Sequence, residues 1–418
     1  MDIHLFETEQ QFQEKRNNNY LEPWVSLTDD SNRVDYNKTE REKLLETPLT
    51  FEVLSPGELF FGHLPSDEFS RTIEYSKNGG EWTSITSSLV TVSEGEEPVI
   101  VSGGTKIPVL TGDIVQFRGN NAYYATDEAF SMFGSFESRC KIKGNIMSLI
   151  NSTNFANLTT LESESTFANL FSLFVNLTDA SELLLPVTTL TVSCYESMFY
   201  GCTSLAQAPE LPATTLATYC YDSMFQGCTS LAQAPELPAT TLANYCYGFM
   251  FNSCSSLTGV PVNYLPATTL AEGCYSYMFD GCTSLTTAPE LPATTLESSC
   301  YNSMFQGCTS LTTAPELPAT TLVGSCYESM FYGCTSLVNA PALPATTLVG
   351  SCYNSMFYGC SNLNYIKCLA TNISATNCTY NWVNGVASTG TFVKNSAMTG
   401  WITGAYGIPS CWTSVDAS

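Results

Sequence analysis

Cysteine is unusually frequent for a side chain capable of covalent and metal chemistry, with 18 copies in 418 residues against two histidines. The histidines, His4 and His63, lie far apart and outside the cysteine-rich part of the chain, which excludes histidine-based acid–base chemistry. Zinc sites need close pairs such as Cys-x-x-Cys, and the sequence contains none. Gly-x-Ser-x-Gly and P-loop motifs are absent as well. We therefore expect a protein that is not an enzyme and that binds no cofactor.

Fourteen of the cysteines form two columns of an internal repeat. The string Cys-Tyr-x-x-Met-Phe recurs every 26 residues, with one spacing of 28, and a second cysteine follows its first by eight residues. The cysteine pairs are Cys194/Cys202, Cys220/Cys228, Cys246/Cys254, Cys274/Cys282, Cys300/Cys308, Cys326/Cys334 and Cys352/Cys360. A degenerate copy precedes them, with Phe167, Phe171 and Phe174 in equivalent places. About eight such units predict a solenoid, because a unit of this size cannot bury its own apolar face.

The spacing of apolar residues within one unit predicts a short helix followed by a brief strand. The helical positions, which repeat with a period near 3.6 residues, are Cys220, Tyr221, Met224, Phe225 and Cys228. The apolar residues from Leu231 to Ala234 then fit a strand that Pro235 limits. We interpret the cysteines as reduced, buried, small hydrophobic side chains.

The predicted fold class is α+β, in four parts. These are an N-terminal docking arm (1–47), a small all-β sandwich-like domain (48–144), the repeat solenoid (145–366) and a C-terminal cap (367–418). In the β region, Lys77-Asn78-Gly79-Gly80 separates two alternating runs and predicts a hairpin. The tryptophans at 382, 401 and 412 indicate a cap over the last core layer, with a glycan platform as the functional alternative.

The charge of the chain restricts its partners. The formal net charge is −24, and residues 144–366 carry 14 acids without a single Lys, Arg or His. Such a surface repels nucleic acid and anionic membranes. No apolar run approaches the roughly 18 residues that span a bilayer, so we expect no membrane insertion. The opening residues, Met1 to Phe6, lack the basic and apolar regions of a secretory signal, so we expect no export signal there.

Two sets of solenoid residues are candidates for binding. The candidate ligand-facing side chains, at the most variable repeat positions, are Gln207, Gln233, Thr258, Tyr264, Thr287, Thr313 and Asn339. Their neutral, hydroxyl-rich character fits a glycan or a protein ligand, and the sequence does not choose between them. An acidic column precedes Leu-Pro-Ala in four copies and comprises Glu210, Glu236, Glu290 and Glu316. We interpret this column as solvated acids, with Ca²⁺ binding as the weaker alternative.

The repeat Met-Phe-x-Gly-Cys-Thr-Ser-Leu-x-x-Ala-Pro-x-Leu-Pro-Ala-Thr-Thr-Leu resembles BspA-like leucine-rich repeats, which are abundant in Bacteroidales. The tail segment Val386 to Lys394 and the β-region segments Lys77 to Trp82 and Gly112 to Asn121 are also similar to parts that accompany such repeats. The resemblance covers roughly residues 48–418. It implies adhesion or partner binding at a surface rather than catalysis.

In the N-terminal arm, Glu22-Pro23-Trp24-Val25-Ser26 and Val34-Asp35-Tyr36-Asn37-Lys38 resemble the openings of structural proteins from gut Bacteroidales phages, including crAss-like phages. The candidate virion-docking residues are Tyr20, Glu22, Pro23, Trp24, Val25, Tyr36 and Asn37. This resemblance implies a protein made in the bacterial host cytoplasm and displayed on the virion surface as a head fibre, decoration or tail-associated protein. Its partners would be other virion proteins and a host-surface or gut ligand, and virion fibres suggest a homotrimer by analogy. The alternatives are a bacterial cell-surface adhesin and an intracellular interaction scaffold.

Overall fold

The computed structural model describes residues 40–64, 69–92, 101–126, 128–261 and 263–417. Residues 40–46 are helical, and two short 3-10 helices span Ile146–Leu149 and Phe155–Asn157. The strands are β1 (Leu49–Val53), β2 (Gly57–Leu64), β3 (Thr72–Lys77), β4 (Thr83–Thr86), β5 (Ser88–Val92), β6 (Val101–Gly103), β7 (Thr105–Val109), β8 (Ile114–Gly119), β9 (Phe130–Ser135), β10 (Cys140–Asn145), β11 (Leu177–Leu184), β12 (Tyr365–Cys368), β13 (Thr391–Lys394) and β14 (Thr413–Asp416).

The region predicted to be all-β does form β-sheets. The first sheet has the strand order β11-β10-β1-β8-β3-β4. In the second, β2 pairs with β5, β7 and β9, and β6 pairs with β5. The predicted hairpin is confirmed, because β3 and β4 pair antiparallel with Ile73 opposite Ile85. Asn78 and Gly79 take positive φ in its turn, as a tight hairpin turn requires.

An aromatic core lies between the two sheets. Phe51 and Phe117 come from the first sheet and Phe61 and Phe133 from the second, and each is at most 1% exposed. The Phe133 ring centroid lies 5.5 Å from that of Phe51 and 4.9 Å from that of Phe117. In β8 buried and half-buried residues alternate, as expected of a strand with one face in the core.

The first sheet continues from the β region into the repeats. Strand β11 belongs to the segment predicted as solenoid, yet it pairs parallel with β10. Phe171 of the degenerate first copy packs on Phe133, with ring centroids 6.0 Å apart. Lys141 and Asp179 form an ion pair across the junction at 3.2 Å. The β region and the repeats consequently share one hydrophobic core.

The helix predicted in each repeat is wrong, because the segment is a run of turns. In one copy Ser193, Ser197 and Gly201 have φ angles of 52°, 53° and 68°. Left-handed residues at every fourth position prevent an α-helix from propagating. The turns repeat every four residues, a period close enough to 3.6 that the apolar spacing resembles that of a helix.

The backbone hydrogen bonds of these turns alternate between two kinds of partner. Met198 N donates to Tyr195 O at 3.2 Å, which closes a turn within the copy. The next amide, Phe199 N, donates to Met224 O of the following copy at 2.9 Å. Half of the amides that a helix would use internally therefore join one copy to the next.

Consecutive copies stack so that equivalent side chains form columns. The ring centroid of Phe251 lies 5.7 Å from those of Phe225 and Phe279, with interplanar angles of 6° and 8°. The tyrosine column is built in the same way, with Tyr221 and Tyr247 5.9 Å apart. All five rings are at most 1% exposed, so each copy covers the apolar face of its neighbour.

The second cysteine of each repeat bonds to the preceding copy. Cys228 Sγ donates to Phe199 O at 3.2 Å, and Cys254 Sγ donates to Phe225 O at 3.1 Å. All 18 cysteines are free, and all except the exposed Cys411 are buried. The column thus uses a side chain that is small enough for the core and still donates a weak hydrogen bond.

The strand predicted after each turn is reduced to single parallel bridges. Gln233 bridges to Gly259, and Thr287 bridges to Thr313. Pro235 follows two residues after the first of these bridges. Because proline has no N–H to donate, it prevents the pairing from lengthening into a strand.

The turn pattern continues past residue 366, the boundary at which the predicted cap begins. Three residues there have positive φ at the same four-residue spacing, namely Asn377, Asn381 and Gly385. Trp382 is fully buried in this copy, and its Nε1 donates to Gly407 O at 2.9 Å. Trp401 stacks on it at 5.6 Å, while β12, β13 and β14 form a three-stranded parallel sheet.

Candidate ligand-binding surface

Six of the seven predicted ligand-facing side chains are exposed. They are Gln207, Gln233, Thr258, Thr287, Thr313 and Asn339. Five of them occupy the repeat position that forms the parallel bridges between copies, and Thr258 precedes that position in its copy. These bridges join the copies two by two along this line, and the stacking of the copies places the five side chains one above another on the outside of the repeats.

The prediction is wrong for Tyr264, which is 1% exposed. Its ring packs against Phe279 with a centroid distance of 6.4 Å. Tyr264 lies in the copy with a two-residue insertion, and Asn263 beside it has a φ of 55°. In this copy the tyrosine therefore belongs to the core instead of facing a ligand.

The acidic column is exposed at Glu236, Glu290 and Glu316. Glu210 differs, because its carboxylate forms an ion pair with Arg41 at 2.8 Å. Within residues 40–417, as far as the structure describes them, no group of three or more acidic, cysteine or histidine side chains is arranged to hold a metal ion. The ion pair with Arg41 instead connects the column to the helix at 40–46.

The predicted virion-docking residues all precede residue 40 and lie outside the described residues. They are Tyr20, Glu22, Pro23, Trp24, Val25, Tyr36 and Asn37. The helix at 40–46 is the described end of the predicted arm, and it is fixed to the body. Asn145 Nδ2 donates to Leu45 O at 3.1 Å, in addition to the Arg41–Glu210 pair.

The turns also carry an aromatic cluster that the sequence analysis missed. Most non-glycine residues at the first two left-handed positions of the copies are serine or asparagine. Four are aromatic instead, in three consecutive copies: Tyr219, Tyr245, Phe249 and Tyr277, with φ between 50° and 57°. A bulky side chain at positive φ is a strained choice that costs on the order of 1–3 kcal/mol. The left-handed turn itself does not require these rings, since serine serves the same turn elsewhere.

The four rings form two stacked pairs between neighbouring copies. Tyr219 and Tyr245 lie 5.2 Å apart at 17°, and Phe249 and Tyr277 lie 4.5 Å apart at 4°. Gly273 follows in the column of the first pair, and a Cβ there would lie 2.2 Å from Tyr245 Cε1. The Tyr245 ring therefore rests on the Gly273 backbone and supports Tyr219 from behind.

Polar side chains line the same turns. Gln226 Nε2 donates to Asn252 Oδ1 at 3.1 Å, and Asn252 Nδ2 donates to Asp280 Oδ2 at 2.9 Å. Burial raises the pKa of Asp280 to about 6. It raises that of Asp222 to about 7, with a smaller contribution from Glu196. The turn edge thus offers amides and carboxylates beside the aromatic pairs, without any basic side chain.

A signal for this cluster exists in the sequence. When the copies are aligned, the column that contains Ser299, Ser325 and Ser351 holds Tyr219 and Tyr245 in two earlier copies. An aromatic residue in a column of small residues marks a position where folding does not dictate the side chain. The predicted helix concealed it, because a helical face gives no reason to single out this position.

The model of a BspA type leucine rich repeat region matches residues 172–288 and 272–382, with six copies. These matches cover half of the chain, and the chain belongs to this family of repeat proteins. No curated protein and no solved structure matches the chain. Within the part of the chain that the structure describes, no helix is long and apolar enough to cross a membrane.

Proposed function

We propose that the chain is a non-catalytic adhesion protein whose repeats form a binding solenoid. The observation that carries this proposal is the separation of constant and variable positions among the copies. Inside, the columns keep tyrosine, methionine, phenylalanine and cysteine, which are buried in every copy from residue 194 to residue 360. Outside, the repeat position that forms the backbone bridges holds a different residue type from copy to copy, as shown by Gln233, Gly259, Thr287 and Asn339. Such a scaffold can vary its surface without altering its core.

The ligand that suits this surface is neutral and rich in hydrogen-bonding groups. Exposed glutamine, threonine and asparagine side chains both donate and accept hydrogen bonds. Residues 144–366 have no basic side chain with which to bind a phosphate, sulfate or sialic acid group. A glycan or protein on a host-cell surface or in the gut is therefore the proposed partner.

We place this adhesion function on a virion surface, with attachment through the N-terminal arm. The support for this placement is the resemblance of the short segments Glu22 to Ser26 and Val34 to Lys38 to the openings of phage structural proteins. The helix at 40–46 is held to the body by Arg41 and Leu45. For contact with other virion proteins we therefore propose residues before 40. A cell-surface adhesin and an intracellular scaffold are the alternative placements.

Binding of the labelled full chain to intact Bacteroidales cells tests the adhesion function. We expect saturable binding that excess unlabelled chain displaces, because a specific surface offers a limited number of sites. An unrelated acidic protein of similar net charge is the control and should bind no more than background. If the full chain binds cells no better than this control, adhesion is not its function and the scaffold alternative gains support.

A further inference from the structure

We propose that the open ring face of Tyr219 is a stacking platform for a neutral hexose unit of a glycan. This inference rests on the proposed adhesion function and assigns it a place and a ligand class. Tyr219 is 39% exposed. One face of its ring lies against Tyr245 at 5.2 Å, and among the described residues no second ring stacks on the opposite face. In the preceding copy the same column holds only Ser193, which leaves room beside the ring.

The platform is rigid because two layers support it. Tyr219 rests on Tyr245, and Tyr245 rests on the backbone of Gly273. The Tyr245 hydroxyl also lies 3.4 Å from Glu272 Oε1, as a weak hydrogen bond. A ring that is already fixed loses little conformational freedom when a ligand stacks on it.

The turn of the platform and the turn of the preceding copy each carry a carboxylate. Asp222 is in the turn of Tyr219, and its amide donates to Tyr219 O at 3.2 Å. Glu196 occupies the equivalent position in the preceding copy, close enough to Asp222 to raise its pKa. Carboxylates accept hydrogen bonds from sugar hydroxyls, while the C–H face of a pyranose packs on an aromatic face. Together these groups match both the apolar and the polar side of a hexose.

The charge and composition of the surface select a neutral glycan over the other candidates. A sialylated or sulfated glycan would meet carboxylates and no basic group between residues 144 and 366. A protein interface usually centres on buried apolar side chains. Between residues 193 and 360, however, four of the described large hydrophobic residues are highly exposed, namely Tyr200, Tyr219, Tyr332 and Val338. Four such side chains do not provide the apolar centre of a typical protein interface, which favours the glycan.

The test uses the full chain on an array of neutral oligosaccharides that end in glucose, galactose, mannose or N-acetylglucosamine. Tyr219→Ser is the key variant, because other copies hold serine in the same left-handed turn and the fold should persist. We expect it to weaken binding to the best array ligand at least tenfold, whereas Tyr219→Phe should retain most of the binding. The matched control is Tyr332→Ser, since Tyr332 is 37% exposed and stacks on Tyr358 at 4.7 Å. This control should change binding less than twofold.

Three outcomes overturn the platform. In the first, the full chain would bind cells but no neutral glycan, which would indicate a protein ligand and leave the adhesion function intact. In the second, Tyr219→Ser and Tyr332→Ser would weaken glycan binding equally, which would remove the assignment to Tyr219. In the third, Tyr219→Ser would bind glycan as well as the unmodified chain does, which would place the site elsewhere. Failure of cell binding by the unmodified chain would instead refute the adhesion function itself.

Discussion

The repeats are expected to unfold cooperatively as the pH rises from about 9 to 11, because their buried thiols must remain protonated. Burial raises the pKa of Cys220, Cys254 and Cys274 from 9.0 to about 12. Below about pH 9 both the folded and the unfolded chain hold these protons, and the stabilising contribution is complete. Above it only the unfolded chain releases them, so stability is lost as the pH approaches the folded pKa.

The size of this effect comes from the number of thiols, of which 17 are buried. Each contributes roughly 1.4 kcal/mol per pH unit in that window. Ten of them would together remove roughly 14 kcal/mol per pH unit, which is comparable with the whole stability of a typical domain, about 5–15 kcal/mol. The measurement is circular dichroism against pH at constant ionic strength, with proton release followed in parallel.

The variant Cys254→Ala/Cys308→Ala provides the control for the alkaline transition. It removes two buried thiols from separate copies, so unfolding should release two fewer protons and the transition should be less steep. Repeats that stay folded at pH 11 would contradict the account of the cysteine columns.

The second large effect is expected for Phe251→Ala, in the middle of the phenylalanine column. Phe251 is fully buried and lies 5.7 Å from the ring on either side. Removing it leaves a cavity between two copies, and such substitutions cost about 3–5 kcal/mol. The free energy of unfolding from urea titration measures the loss.

Phe249→Ser is the matched control, since it changes the same residue type in the same turn. Phe249 is only partly buried and has a φ of 50°, a position where other copies hold serine. We expect a change of about 1 kcal/mol or less, mainly the lost stacking on Tyr277. Equal losses for the two variants would show that the column is not the source of stability.

The columns of the repeat were predictable from the sequence. The buried positions recur at a fixed spacing, and burial requires an apolar residue at each of them. Tyr221, Met224 and Phe225 had to face inward in every copy, whatever the backbone between them. The hairpin at Asn78 and Gly79 was predictable for a similar reason, because its turn chemistry is local.

The backbone of the turns was not predictable in this way. Ser193 and Ser197 take left-handed φ, although serine gives no sequence signal for that conformation. Glycine, which does give such a signal, occurs mainly at the third left-handed position of each copy, as at Gly201. The inter-copy hydrogen bonds that favour the turns over a helix exist only once the copies have stacked. The prediction for Tyr264 failed for a related reason. A two-residue insertion in the sequence does not show whether the tyrosine beside it points into the core or outward.

Display of the repeats on a virion, through attachment by the N-terminal arm, is tested most directly by particle incorporation. Phage particles are assembled with either the full chain or a chain that lacks residues 1–39, and the DNA-containing fractions are probed with an antibody to the repeats. The deletion stops before the helix at 40–46, so the contacts of Arg41 and Leu45 are retained. Reaction of only Cys411 with a thiol reagent confirms that the shortened chain is folded, because the other 17 thiols are buried. We predict that the full chain sediments with particles and that the folded, shortened chain does not. Absence of the full chain from particles, or equal incorporation of both chains, would contradict the account.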